Sequence, residues 1–146
     1  MEMKFEKGRE GENHISKALT EIGFKVIHIG GAVKYTIDGT KFFCADLLSY
    51  GNEQCFWVQC KNKEPRVVYP DTGLELWRFQ ELKKLQQESN VKVLLLFTDS
   101  SQRIYGDWID NLKETGNHGN IFNSVENCKM IYFWLSDLQD LTKLVS

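Results

Sequence analysis

The chain is 146 residues long, 42% hydrophobic, 26% charged and 12% aromatic, with a formal net charge of -2. These values fit one folded domain over residues 1–146, argue against disorder, and exclude an overall basic charge, so any phosphate binding has to be local. No apolar run approaches the ~20 residues of a transmembrane helix, and the opening MEMKFEKGREGEN is too polar for a signal peptide, so a cytoplasmic protein without membrane contact is expected.

From Lys7 to Ile22, the apolar residues Ile15, Ala18, Leu19 and Ile22 recur at i, i+3, i+4 and i+7, which predicts a helix with one buried stripe, closed by Gly23. Phe24 to Ile29 reads as a first strand, and a loop with Gly30, Gly31, Asp38 and Gly39 follows. Phe42 to Tyr50 and Cys55 to Lys63 read as two further strands joined through Gly51, Asn52, Glu53 and Gln54, a hairpin. Pro65, Pro70, Asp71 and Gly73 mark a loop, after which Leu74, Trp77, Leu82 and Leu85 predict a helix over Leu74 to Glu88. VKVLLLFT, Val91 to Thr98, is the near-continuous apolar run of a strand covered on both faces.

Another helix is expected within Tyr105 to Thr115, a surface loop over Asn117 to Asn127, and a late strand from Lys129 to Leu135. Ser136 with Gln139 three residues on matches a capping box for a last helix, Asp137 to Leu144. The four cysteines, Cys44, Cys55, Cys60 and Cys128, form no CxxC pair and are expected to be reduced. This order predicts an α/β fold with a mixed sheet, a hairpin at one side and helices on both faces.

The predicted hairpin carries the residues that need explaining. A turn centred between Asn52 and Glu53 sets Tyr50 against Cys55, Asp46 against Gln59 and Cys44 against Lys61. Directly opposed residues share a face, and Lys61 shares it because it is two positions from Gln59, so three polar side chains converge among Phe43, Leu47, Phe56 and Val58. Ions in such surroundings cost several kcal/mol each unless a partner compensates. Taken alone, a cross-strand salt bridge between Asp46 and Lys61 explains the pattern as well as a site does.

Together these residues resemble the PD-(D/E)XK nuclease superfamily, with its helix, three strands, helix, strand core. The superfamily's acidic residue near the end of the second strand matches Asp46 in CADLL, and its (D/E/Q)xK triplet matches Gln59-Cys60-Lys61 in WVQCKNK. The helix glutamate in a G-x-x-G-E context matches Glu12 in GREGE. The likeness covers the chain through Thr98 and departs from the pattern in two places: Ala45 stands where proline often precedes the aspartate, and glutamine replaces the acid of the triplet, a variant similar to Mrr-type restriction endonucleases.

The resemblance implies a restriction-endonuclease-like fold and a Mg2+-dependent endodeoxyribonuclease, with Mn2+ substituting. Asp46 would be the principal metal ligand, joined by the Gln59 amide oxygen, the Cys60 carbonyl and Glu12, and Lys61 would act near the scissile phosphate. Spacing alone leaves Glu12 equally a solvated helix residue. Lys63, Arg66 and Gln80 are candidate DNA contacts; Lys63 and Arg66 also read as an ordinary charged loop, and Gln80 as a solvent-facing helix glutamine. No separate recognition domain is legible, so the likeness points to a structure-directed nuclease similar to the archaeal Holliday-junction resolvases, acting as a homodimer. A nuclease-like fold that binds nucleic acid or a protein without cutting is the alternative, favoured by Gln59 and the acidic net charge.

Overall fold

The computed structural model describes residues 4–30, 34–116, 120–122 and 127–146. Helix α1, Lys4–Ile22, buries Ile15 and Leu19 completely and ends at Gly23, whose φ of 117° needs no side chain. β1, Lys25–His28, follows, and then a small hairpin of β2, Lys34–Ile37, and β3, Thr40–Phe43. That hairpin replaces the expected loop. Its turn is Asp38-Gly39, both at positive φ, the Asp-Gly signal of a two-residue turn.

The strand predicted over Phe42 to Tyr50 is therefore two pieces: β3 ends at Phe43, and β4, Leu47–Gly51, begins only after Asp46. β5, Gln54–Asn62, pairs with β4 in the expected register, Tyr50 opposite Cys55 and Leu47 opposite Val58, around Asn52 and Glu53 at positive φ. Next come β6, Asp71–Glu75; α2, Leu76–Ser89; β7, Val93–Thr98; and β8, Ile104–Trp108. β9, Asn120–Phe122, β10, Asn127–Trp134, β11, Gln139–Asp140, and α3, Leu141–Leu144, complete the order.

Six strands form the central sheet in the order β1-β4-β5-β7-β8-β11, with β5 and β7 parallel and their other neighbours antiparallel. Every residue of β7 is buried, as its apolar run requires. Val93, Leu95 and Phe97 join a core with Phe79, Leu82 and Leu85 of α2, while Leu94 and Leu96 join one with Ile15 and Leu19 of α1. The two helices thus cover opposite faces, and the fold class is the α/β mixed sheet expected.

Three expected elements differ. The segment Tyr105 to Thr115 is β8 and a single 3-10 turn, Ile109–Asn111, because β8 fills the free edge of β7; an alanine Cβ at Gly106 would lie only 1.8 Å from the Leu95 carbonyl oxygen. Asp71, Thr72 and Gly73, read as loop residues, are buried in β6 against β10. The C-terminal helix shrinks to α3, with Ser136 inside a 3-10 turn, Leu135–Asp137, instead of capping a helix. Part of the expected loop Asn117 to Asn127 lies outside the described residues; its described portion contains β9. Cys44, Cys55 and Cys60 are free thiols, and among the described residues no helix is long and apolar enough to cross a membrane.

Candidate active site

The break between β3 and β4 is what presents Asp46. Its backbone carbonyl accepts hydrogen bonds from Ile29 and Gly30, and its carboxylate Oδ2 accepts the Cys60 backbone N–H at 3.0 Å. The carboxylate is thereby docked on the middle of the Gln59-Cys60-Lys61 triplet. On β5, Cys60 packs toward the α1 face while Gln59 and Lys61 project to the other, as strand alternation dictates.

Lys61 is held by Glu75, its Nζ donating to Oε1 at 2.9 Å and Oε2 at 3.3 Å. Glu75 ends β6 beside the start of α2, so this pair ties the central sheet to the second, smaller sheet. Burial works to raise the Glu75 carboxyl, but the Lys61 ammonium, by charge and hydrogen bond, heads the opposing groups that hold it below its ordinary value. A carboxylate lowered on folding stabilises the folded state above its unfolded pKa and loses that contribution as pH falls through its folded one. The stability gap between wild type and Glu75→Gln is therefore expected to be constant from neutral pH down to about 4.3 and to shrink below it, as read by urea unfolding at stepped pH.

Gln59, 7% exposed, meets a residue that the sequence did not single out. Arg78 of α2, 6% exposed, donates from Nη2 to Gln59 Oε1 at 2.6 Å and to the Cys44 carbonyl at 2.5 Å. Gln59 Nε2 lies 3.5 Å from the Cys60 carbonyl. Burial draws the guanidinium below its ordinary value, while Asp46 and then Glu81 lead the groups that oppose that shift. Asp46 and Arg78 thus share one electrostatic neighbourhood.

Glu12 enters from α1. Its Oε1 is 2.8 Å from His28 Nδ1, and His28 Nε2 is 3.2 Å from Ser16 Oγ, so β1 and α1 together fix its carboxylate. Burial pushes the Cys60 thiol well up, and the Asp46 and Glu12 carboxylates add to it in that order, which brings both acids to the same stretch of β5. Gly11 permits the approach: an alanine Cβ there would come within 2.6 Å of Asn62 Cβ, whose own amide donates to the Lys7 carbonyl of α1. Gly8, three residues earlier, has open space around it.

No protein-family model matches the chain, and no curated protein sequence does. Among solved structures it is similar to Hjc, a Holliday junction resolvase from the archaeal hyperthermophile Archaeoglobus fulgidus, with a TM-score of 0.66 over 94% of this chain and 93% of that one, at 13% sequence identity. The fold is that of the PD-(D/E)XK nucleases.

Of the residues singled out in the sequence, Asp46 bonds to the Cys60 backbone and Glu12 is held on the α1 side by His28, while Gln59 and Lys61 project from the other face of β5 toward Arg78 and Glu75. The loop after the triplet is arranged differently from a row of free cations. Arg66 forms a two-pronged ion pair with buried Asp71 and lies 3.5 Å from the Tyr132 ring centroid. Lys63 sits 5.7 Å from the same centroid, and burial, then repulsion from Lys61, draws its ammonium below its ordinary value. Gln80 is on the exposed side of α2. The residues missed were Glu75, whose pairing depends on the unforeseen β6, and Arg78. Arg78 had a legible signal: with Leu82 and Leu85 it falls at i, i+4 and i+7, a core stripe with an arginine in it.

Proposed function

We propose that this protein is a divalent-metal-dependent endonuclease that hydrolyses phosphodiester bonds of DNA. The observation that carries the reading is the Asp46 carboxylate docked on the Gln59-Cys60-Lys61 triplet by the Cys60 N–H, within a nuclease fold. Among the described residues no group of three His, Cys, Asp or Glu side chains is arranged to hold a metal ion. The fitting set is therefore one of few charges: Asp46, the Cys60 carbonyl and Glu12. One or two carboxylates with neutral oxygens suit magnesium, which keeps several waters and takes substrate phosphate into its shell. Bound there, magnesium or manganese supplies a Lewis acid and an acidified water.

The chain's own residues do the rest. Lys61 brings its ammonium to the phosphate and offsets the charge that grows on its oxygens, and its ion pair with Glu75 restrains the side chain. Lys63 adds positive charge two residues on, and phosphate contacts of this kind position a nucleic acid without reading its sequence. By analogy with the archaeal Holliday junction resolvase, the substrate class is branched DNA; a homodimer would be the acting form, because it offers two sites to two strands.

One observation favours a second reading, a nucleic-acid binder that does not cut: the Gln59 amide oxygen is already engaged by Arg78. Labelled four-way, duplex and single-stranded DNA incubated with Mg2+, Mn2+ or EDTA separates the two. Metal-dependent cleavage supports the nuclease. Binding without cleavage under every condition supports the second reading.

A further inference from the structure

In a nuclease of this fold, the first residue of the triplet is expected to face the metal. Here its oxygen faces an arginine. Gln59 and Arg78 are both more than nine-tenths buried, their 2.6 Å bond is short, and the same Nη2 also holds the Cys44 carbonyl next to the Asp46 break. Arg78 Nη1 is buried with no hydrogen-bond partner among the described residues. A buried guanidinium costs several kcal/mol unless it is fully paired.

A glutamate at position 59 would offer that pairing and would cancel the charge. Glutamine accepts the hydrogen bond and leaves the charge in place. The charge stands near Asp46, the strongest candidate for holding a cation.

Resting on the nuclease reading, we propose that Gln59 serves Arg78 and not the metal: amide and guanidinium form a fixed unit that occupies the amide oxygen and keeps a permanent positive charge behind Asp46. Arg78 is in this sense a positioning residue, acting through Gln59 and Asp46 without touching substrate. Its charge lowers the affinity of the Asp46 site for a divalent cation and favours the anionic phosphate that enters beside it. Gln59 contributes its donor to the Cys60 carbonyl side and its acceptor to Arg78.

Manganese alone is the probe, titrated calorimetrically into the full chain, with circular dichroism confirming that each variant is folded. Gln59→Met is expected to melt earlier but to bind Mn2+ within about twofold of wild type, because no ligand has been removed. Arg78→Met is expected to bind Mn2+ about tenfold more tightly, because a like charge beside Asp46 has gone, and Arg78→Lys is expected to return the affinity to the wild-type range. Should Arg78→Met fail to fold, Arg78→Gln, which keeps a donor for the Cys44 carbonyl, carries the same expectation.

A tenfold loss of Mn2+ affinity in Gln59→Met makes Gln59 a direct ligand and overturns the proposal. Unchanged affinity in the neutral Arg78 variants also overturns it, leaving Arg78 a structural brace. If wild type binds Mn2+ and cuts DNA while either of these results is found, the pairing alone falls. If wild type neither binds Mn2+ nor cuts, the nuclease reading falls and takes the pairing with it.

Discussion

Asp46→Ala and Lys61→Ala are each expected to slow metal-dependent DNA cleavage by about 10³-fold, while leaving DNA affinity within about tenfold of wild type. The Asp46 carboxylate bonds directly to the triplet's backbone, so in the proposed function its loss removes the principal anchor for a cation. In the proposed function Lys61 offsets charge at the phosphate, where stabilisation counts most as charge develops. In the proposed function both groups act on the same phosphate, so the double variant is expected to be little worse than either single one. Gel-resolved cleavage kinetics under single-turnover conditions, beside anisotropy in Ca2+ or EDTA, give the rates and affinities separately. Near-wild-type rates in both variants would remove this site from the chemistry.

The largest effect on stability is expected at Arg66. Its Nε and Nη2 reach the two oxygens of Asp71 at 2.6 and 2.7 Å, and its backbone N–H also donates to the Asp71 carbonyl. Asp71 is 0% exposed. Arg66→Ala strips the partner from a carboxylate that has no access to water, and breaking such a pair from one side costs about 3–5 kcal/mol. For a chain of this size that corresponds to a fall of roughly 10 °C in Tm by calorimetry. Removing both charges, as in Arg66→Met with Asp71→Leu, is expected to recover much of the loss, because no ion is then left buried. A small effect of Arg66→Ala on Tm with a large effect on DNA affinity would restore the sequence-based reading of Arg66 as a DNA contact.

How far the sequence could be read follows from where the determining contacts lie. α1, the β4–β5 register and β7 were legible because each is written in local periodicity: Ile15 and Leu19 on one stripe, a short turn at Asn52 and Glu53, an unbroken apolar run. The ladder stops at Leu47 opposite Val58, so the expected opposition of Asp46 to Gln59 lies just beyond it, where the Asp46 carboxylate accepts the Cys60 N–H. β6 was hidden because Asp71, Thr72 and Gly73 have the composition of a turn, and only Arg66 and the close approach of the Ile131 backbone make them a buried strand. β8 was hidden because Gly106 and Asp107, both poor strand formers, interrupt its pattern, and the open edge of β7 pairs with them all the same. At the site, Glu75 was missed because its pairing depends on β6, and Arg78 because its place on the core stripe does not by itself name Gln59 as its partner. His28 fixes Glu12 through a contact that exists only once β1 lies beside α1, so no local pattern announces it.

The most direct test is anomalous diffraction from crystals soaked in Mn2+. The proposed function requires a manganese peak at the Asp46 carboxylate, beside the Cys60 carbonyl and within reach of Glu12. A protein that cuts DNA with Mn2+ but binds the ion elsewhere, leaving Asp46 bare, would contradict it.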